Sequence, residues 1–149
     1  MTRIVELPGL SAEQIYNGVI EYLSTTLDNP KGVIQQQDRQ SGLIVGKGTL
    51  TTEPRKINML TYLTFIVDET VKINIKEGRI RIVLTTGDIT VQGMPQAGVV
   101  NIRDWAPYNP KSKKIDNDFK NMSIIYKRQV DYVTNLVAGI KSVTEDSNW

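Results

Sequence analysis

The sequence predicts an α+β fold, an antiparallel β-sheet with an N-terminal helix and a long C-terminal helix packed on one face, in the order β-α-β-β-β-β-α. Three observations carry that expectation. A capped stretch of helical period runs from Ser11 towards Leu27. Apolar and polar residues alternate on both sides of Glu77-Gly78, as in a hairpin with one buried face. An apolar stripe in steps of three and four then runs from Phe119 to Ile140.

Taken in order, Arg3 to Leu7 (RIVEL) reads as a short strand stopped by Pro8-Gly9. Ser11 is placed to cap the first helix, Gln14 completes a capping box, and Leu10 can staple to Ile15. Ile15, Val19, Leu23 and Leu27 repeat at four-residue spacing, with Tyr16 and Ile20 widening the stripe. Asn29-Pro30-Lys31-Gly32 ends the helix, because proline has no N–H to continue the ladder.

Val33 to Gln37 and Leu43 to Thr52 are expected as a hairpin around the polar turn Asp38 to Gly42. After Glu53-Pro54-Arg55-Lys56, a β-rich run extends from Ile57 to Ile75, with a kink or bulge expected near Asp68-Glu69. With Glu77-Gly78 as a two-residue loop, Ile75 faces Ile80, Ile73 faces Ile82 and Val71 faces Leu84 on the apolar side. The other side then pairs Lys76 with Arg79, Asn74 with Arg81 and Lys72 with Val83. Gly93 to Lys114 reads as a loop arm, and the C-terminal helix is expected from about Asp116 to Val143. Its inward stripe is Phe119, Met122, Tyr126, Val130, Val133, Val137 and Ile140. All of this fits a single domain, since a chain of 149 residues buries roughly 70% of the surface exposed when unfolded.

Composition narrows the chemistry. The chain has no Cys and no His, which excludes Cys/His and Ser/His/Asp mechanisms and removes the commonest transition-metal ligands. A net charge of +2 is too small by itself to imply a polyanionic partner. No run approaches the ~20 apolar residues of a membrane-spanning helix. The opening MTRIVELPG lacks the basic start and apolar stretch of a signal peptide.

The stretch Gly42 to Thr49, GLIVGKGT, has the look of a phosphate-binding loop but fails its test. Such a loop needs four residues between its glycines, Ser or Thr directly after the Lys, and a helix to follow. Here three residues separate Gly42 from Gly46, Gly48 stands in the hydroxyl position, and the context is a strand. Its glycines are therefore expected to allow close packing at positions 46 and 48. Asp116-Asn117-Asp118 resembles the start of a calcium loop, but Lys120 replaces the next ligand and the required glycine is missing. Helix capping is the expectation there.

The segments VELPGLSAEQIYNGVIEYL, VIQQQDRQSGLIVGKGTL and TFIVDETVKINIKEGRIRIVLTT together resemble a bacterial family of unknown function with a TATA-binding-protein-like fold. The match covers roughly residues 3–88. The resemblance implies the sheet-and-helix architecture and brings no catalytic residues with it. It also implies an envelope-associated or lipoprotein domain where a leader is present. A chain used without one points instead to another setting, such as a subunit of a phage virion.

Two groups of residues are candidates for contact with a partner. Lys72, Lys76, Arg79 and Arg81 share one hairpin face, with Lys47 extending it, and the like charges at Lys76 and Arg79 invite an anionic partner. The competing reading is a solvated sheet face that resists aggregation. Arg103, Trp105, Tyr108 and Trp149 form the second group, of residue types favoured at protein interfaces, unless the arm packs over its own core. The expectation is thus a non-catalytic binding or structural module without cofactor or metal, working through protein partners or self-association. The alternative is a domain that binds a small ligand or nucleic acid on its sheet face. Nucleic-acid recognition by a sheet usually adds stacking aromatics, and the hairpin has none.

Overall fold

The structure, a computed structural model, describes residues 1–26, 33–56, 59, 62–93, 98–100 and 114–146. Its elements are β1 (Thr2–Glu6), α1 (Ala12–Thr26), β2 (Ile34–Asp38), β3 (Leu43–Thr51), β4 (Arg55–Lys56), β5 (Tyr62–Lys76), β6 (Arg79–Gln92), β7 (Gly98–Val100) and α2 (Lys114–Asp146). The strands run in the order β1-β6-β5-β3-β2, with β4 added against β5 and β7 against β6. The α+β class, the antiparallel pairing and the two helices agree with the sequence reading. The chain divides into two compact units.

Unit 1 comprises Met1–Gly48, Thr70–Thr85 and Tyr132–Trp149. The capping box forms as expected: the Gln14 N–H donates to Ser11 Oγ at 3.2 Å, and the Ser11 N–H donates to Gln14 Oε1 at 2.9 Å. Leu10 and Ile15 are both buried, as a hydrophobic staple requires. The core gathers Ile15 and Val19 from α1, Ile73 and Ile82 from the long strands, and Val133 and Ile140 from α2. Each such fully buried side chain contributes about 1.5–3 kcal/mol relative to exposure. Helix packing is close enough that a Cβ on Gly139 would collide with the Tyr22 ring.

The β5–β6 hairpin turns at Glu77-Gly78, where Gly78 adopts φ +71°, a left-handed conformation suited to glycine. Burial alternates along β5 without a break from Tyr62 to Lys76. The bulge expected near Asp68-Glu69 is therefore absent from β5. The change of parity lies on β6 instead: Ile80, Ile82 and Leu84 face inward, and so does Ile89, an odd-numbered residue, beyond Gly87-Asp88. Beside the end of β5, Asp38 closes the β2–β3 turn by accepting the backbone N–H groups of Gln40 and Ser41. The Ser41 hydroxyl first, and these backbone groups with it, hold the Asp38 carboxyl below its ordinary value.

Unit 2 comprises Thr49–Glu69 and Thr86–Asp131. Leu63, Phe65 and Val67 of β5 pack with Ile89 of β6 and Ile125 of α2, joined by the half-buried Val91 and Met122. Thr52 is buried because it closes a local ladder: its N–H donates to the Phe65 carbonyl, and its Oγ1 accepts the Phe65 N–H at 3.1 Å. Arg55 and Lys56, expected in a connection, pair as β4 with Leu63 and Tyr62. The segment expected as a loop arm contains β7, paired with β6 through Ile89↔Val100 and Val91↔Gly98.

The C-terminal helix extends beyond its expected ends, and its inward stripe is rotated in the middle. Tyr126 is 60% exposed, while Ile125 and Gln129 take the buried positions. An all-apolar stripe steps past Gln129; the observed face includes it because a polar partner waits there. Leu27, the Asn29 to Gly32 stop and Phe119's side chain lie outside the described residues.

Candidate functional site

The cationic hairpin face belongs to unit 1 and follows from strand alternation. Val5, paired with Ile80, faces the core, so Ile4 opposite Arg81 and Glu6 opposite Arg79 face away from it. On β5 the residues alternating with Ile73 and Ile75 are Lys72, Asn74 and Lys76. The Arg81 guanidinium donates from Nη2 to Asn74 Oδ1 at 3.2 Å, in agreement with the expected pairing of these two positions.

Ile4, Asn74, Lys76, Arg79, Ile80 and Arg81 line a groove of about 250 Å³. Three of the five expected cations therefore meet at one place. Lys72 is exposed on the same side of β5 but does not line the groove. Lys47 is exposed on β3, on the side opposite Ile44, and also lies outside the groove. The same alternation puts the half-buried Leu43, Val45 and Val83 on the open side, so cations and apolar groups are interleaved. Sequence reasoning missed Ile4 and Glu6; the alternation of RIVEL against Val5 was the signal that places them.

Among the described residues, every arginine outside this face is engaged, whereas lysines elsewhere, such as Lys127 and Lys141, are as unpartnered as those on it. Arg39 stacks over the Tyr16 ring at 4.7 Å, donates to Asn17 Oδ1 at 2.8 Å and lies 3.7 Å from Glu13. Arg3 donates to Thr134 and Arg128 to the Thr51 carbonyl, and Arg55 is bonded to Asn121. Among the described residues, the charged ends of Lys72, Lys76 and Arg79 have no hydrogen-bond or ion-pair partner. Glu6 stands opposite Arg79 in register, yet no ion pair joins them.

The second expected group, Arg103, Trp105, Tyr108 and Trp149, lies outside the described residues. The expected packing role of the β3 glycines holds in part. A Cβ on Gly46 would stand 3.3 Å from Val71 Cγ1, whereas at Gly48 it would meet nothing within 4 Å. Close approach occurs instead at Gly42 (φ +65°), whose carbonyl accepts the Ile75 N–H at 2.7 Å. Lys114 opens α2 upstream of Asp116 and Asp118, so both stand within the helix rather than at its cap. Among the described residues, no three or more His, Cys, Asp or Glu are grouped to hold a metal ion, and no helix is long and apolar enough to cross a membrane.

Unit 2 contains a polar cluster that sequence reasoning did not find. Glu69 lies in the inward row of β5 between Val67 and Val71 and is 5% exposed. Gln129 Nε2 donates to Glu69 Oε1 at 2.5 Å and to Thr86 Oγ1 at 2.6 Å, while among the described residues Glu69 Oε2 is buried without a hydrogen-bond partner. Burial pushes the Glu69 carboxyl above its ordinary value, opposed by the hydrogen bonds from Gln129 and Thr86 and reinforced by Asp68. The row Leu63, Phe65, Val67, Glu69, Val71 was the available signal.

Residues 2–91 match the family described as a domain of unknown function (DUF4468) with TBP-like fold. Among solved structures, a DUF4468 family protein from Bacteroides ovatus ATCC 8483 is similar at a TM-score of 0.65 and 17% identity, covering 97% of this chain and 84% of that one. A TBP-like protein from Parabacteroides distasonis ATCC 8503 is similar at a TM-score of 0.66 and 16% identity, covering 97% of this chain and 91% of that one. No curated protein matches. At these identities the likeness to solved structures is one of fold.

Proposed function

Because the chain belongs to the DUF4468 family of bacterial domains with a TBP-like fold, and a fold specifies no reaction, we propose from its own side chains that it is a non-catalytic binding module for an acidic protein partner. One observation carries this reading. Among the described residues, Lys72, Lys76 and Arg79 are left without partners on a face where other residues interleave them with Ile4, Val45 and Val83. Like charges held on adjacent strands destabilise a hairpin unless something anionic offsets them.

The mixed character of the face favours protein over nucleic acid. A phosphate backbone gains nothing from Ile4 or Val83, and among the described residues the groove at Lys76, Arg79 and Arg81 is lined by no aromatic ring for base stacking. An acidic polypeptide with apolar residues meets both components of the surface.

Retention of the protein on immobilised peptides of alternating Glu and Val, at physiological salt, tests the reading. The wild type should be retained and a Lys72→Glu/Arg79→Glu/Arg81→Glu variant should flow through. Stronger retention of the wild type on single-stranded DNA would transfer the face to nucleic acid, and flow-through on both supports would end the proposal.

A further inference from the structure

The groove differs from the rest of the open face because its donors converge. Arg79 and Arg81 stand two residues apart on β6, about 7 Å along the strand, and project on the same side. Lys76 and Asn74 approach from β5, and Ile4 supplies an apolar wall from β1. Asn74 engages Arg81 through Nη2, and a guanidinium has five N–H donors, so most remain to be used.

We infer that this groove seats a single carboxylate, supplied by an internal Glu or Asp side chain of an extended acidic segment. The inference rests on the binding role proposed above and names its subsite. Size is the first consideration: a shallow groove of about 250 Å³ has room for one side chain of an extended segment. The donors are the second. β6 lies between β1 and β5, so its backbone groups are committed to ladders on both sides, and only side chains face the groove. Capture of a chain-terminal carboxylate uses backbone nests, which a central strand lacks, and this selects an internal residue. Charge is the third. Guanidinium groups match carboxylates in a two-bond fork, and position 74 carries Asn where an Asp would have neutralised Arg81 from within.

The test is fluorescence anisotropy with a labelled, internally acidic peptide of alternating Glu and Val, its C-terminus amidated, alongside its Gln–Val counterpart and an oligothymidylate. The Glu–Val peptide should bind the wild type. Arg79→Gln and Arg81→Gln should each weaken it about fivefold, as should Asn74→Asp, which sets an internal carboxylate against Arg81. Lys47→Gln, on the same face outside the groove, should change it by less than about twofold. Thermal melts establish that each variant is folded. Equal losses in Lys47→Gln and the groove variants would overturn the seat while leaving a diffuse binding face. Equal affinity for the Gln–Val peptide would overturn the carboxylate, and tighter binding of oligothymidylate would replace it with phosphate. Failure of the wild type to bind the Glu–Val peptide would overturn both the seat and the binding role.

Discussion

Strand β5 passes through two cores of different chemistry. In unit 1 it contributes Val71, Ile73 and Ile75 to a cluster closed by hydrocarbon, and α2 answers with Val133, Leu136 and Ile140. In unit 2 the same inward row reads Leu63, Phe65, Val67 and then Glu69, and α2 answers with Ile125 and then Gln129. The difference concerns specificity as much as stability. Apolar contacts tolerate a helix rotated by a fraction of a turn, whereas the Gln129 amide satisfies Glu69 and Thr86 only in one setting. Among the described residues, Glu69 Oε2 finds no partner in that arrangement.

The comparison breaks most visibly through large-to-small changes in each core. Phe65→Ala in unit 2 and Ile73→Ala in unit 1 should lower stability by about 3–5 and 2–5 kcal/mol respectively, read from denaturant melts. Hydrogen exchange should place the lost protection mainly in the unit carrying the change. Uniform loss would merge the two units into one cooperative block.

Next in size is helix contact in unit 1. Gly139→Ala drives a methyl group into the Tyr22 ring and should cost about 1–3 kcal/mol. In the background of Tyr22→Ala the same change should cost clearly less, and additivity of the two would show that the ring is not what it meets.

The polar cluster should respond to pH as the apolar core does not. Gln129→Leu removes the donor to a buried carboxyl and should cost about 1–3 kcal/mol. The folded-state pKa of Glu69 is raised, so the native state holds its proton more tightly than the unfolded chain. Its contribution is full below the ordinary glutamate range and is lost as pH rises through the raised value. Glu69→Gln, which keeps the shape without the ionisation, should flatten that decline in melts taken across the acid-to-neutral range; an unchanged slope would assign it to other groups. The smallest effect is expected at Gly48, where added atoms meet open space: Gly48→Val should change stability by less than about 1 kcal/mol, with stabilisation the expected direction.

What was legible in the sequence was whatever repeats locally. The Ser11-Gln14 box, the Glu77-Gly78 turn and the buried and open faces of the strands on either side of it depend on neighbours in the chain, and all three form. The α2 stripe was misjudged at Tyr126 because hydrophobicity alone assigns Gln129 to solvent, although Glu69, distant in sequence, draws it inward. Glu69 was passed over for the same reason: its i±2 neighbours mark it as inward, but the partner that makes burial tolerable sits 60 residues away. In the candidate site, Lys76, Arg79 and Arg81 were found because one hairpin holds them, while Ile4 enters only through the pairing of β1 with β6. The β4 and β7 pairings were missed because strands of two and three residues leave too little pattern to read.

The tip of the β5–β6 hairpin is fastened to the chain segment between β1 and α1. The Leu7 N–H donates to the Gly78 carbonyl at 2.7 Å, and the Gly78 N–H donates to the Leu10 carbonyl at 2.9 Å. Lys76 and Arg79 flank that tip. Their backbone is therefore tethered on both sides of the turn, and association with the proposed partner would have mainly side-chain rotamers left to order, at about 0.5–1.5 kcal/mol for each long side chain. A hairpin free to swing would add its own loss of freedom to that cost. For the acidic partner proposed above, clamping the turn would hold this pair of like charges ready for their opposite.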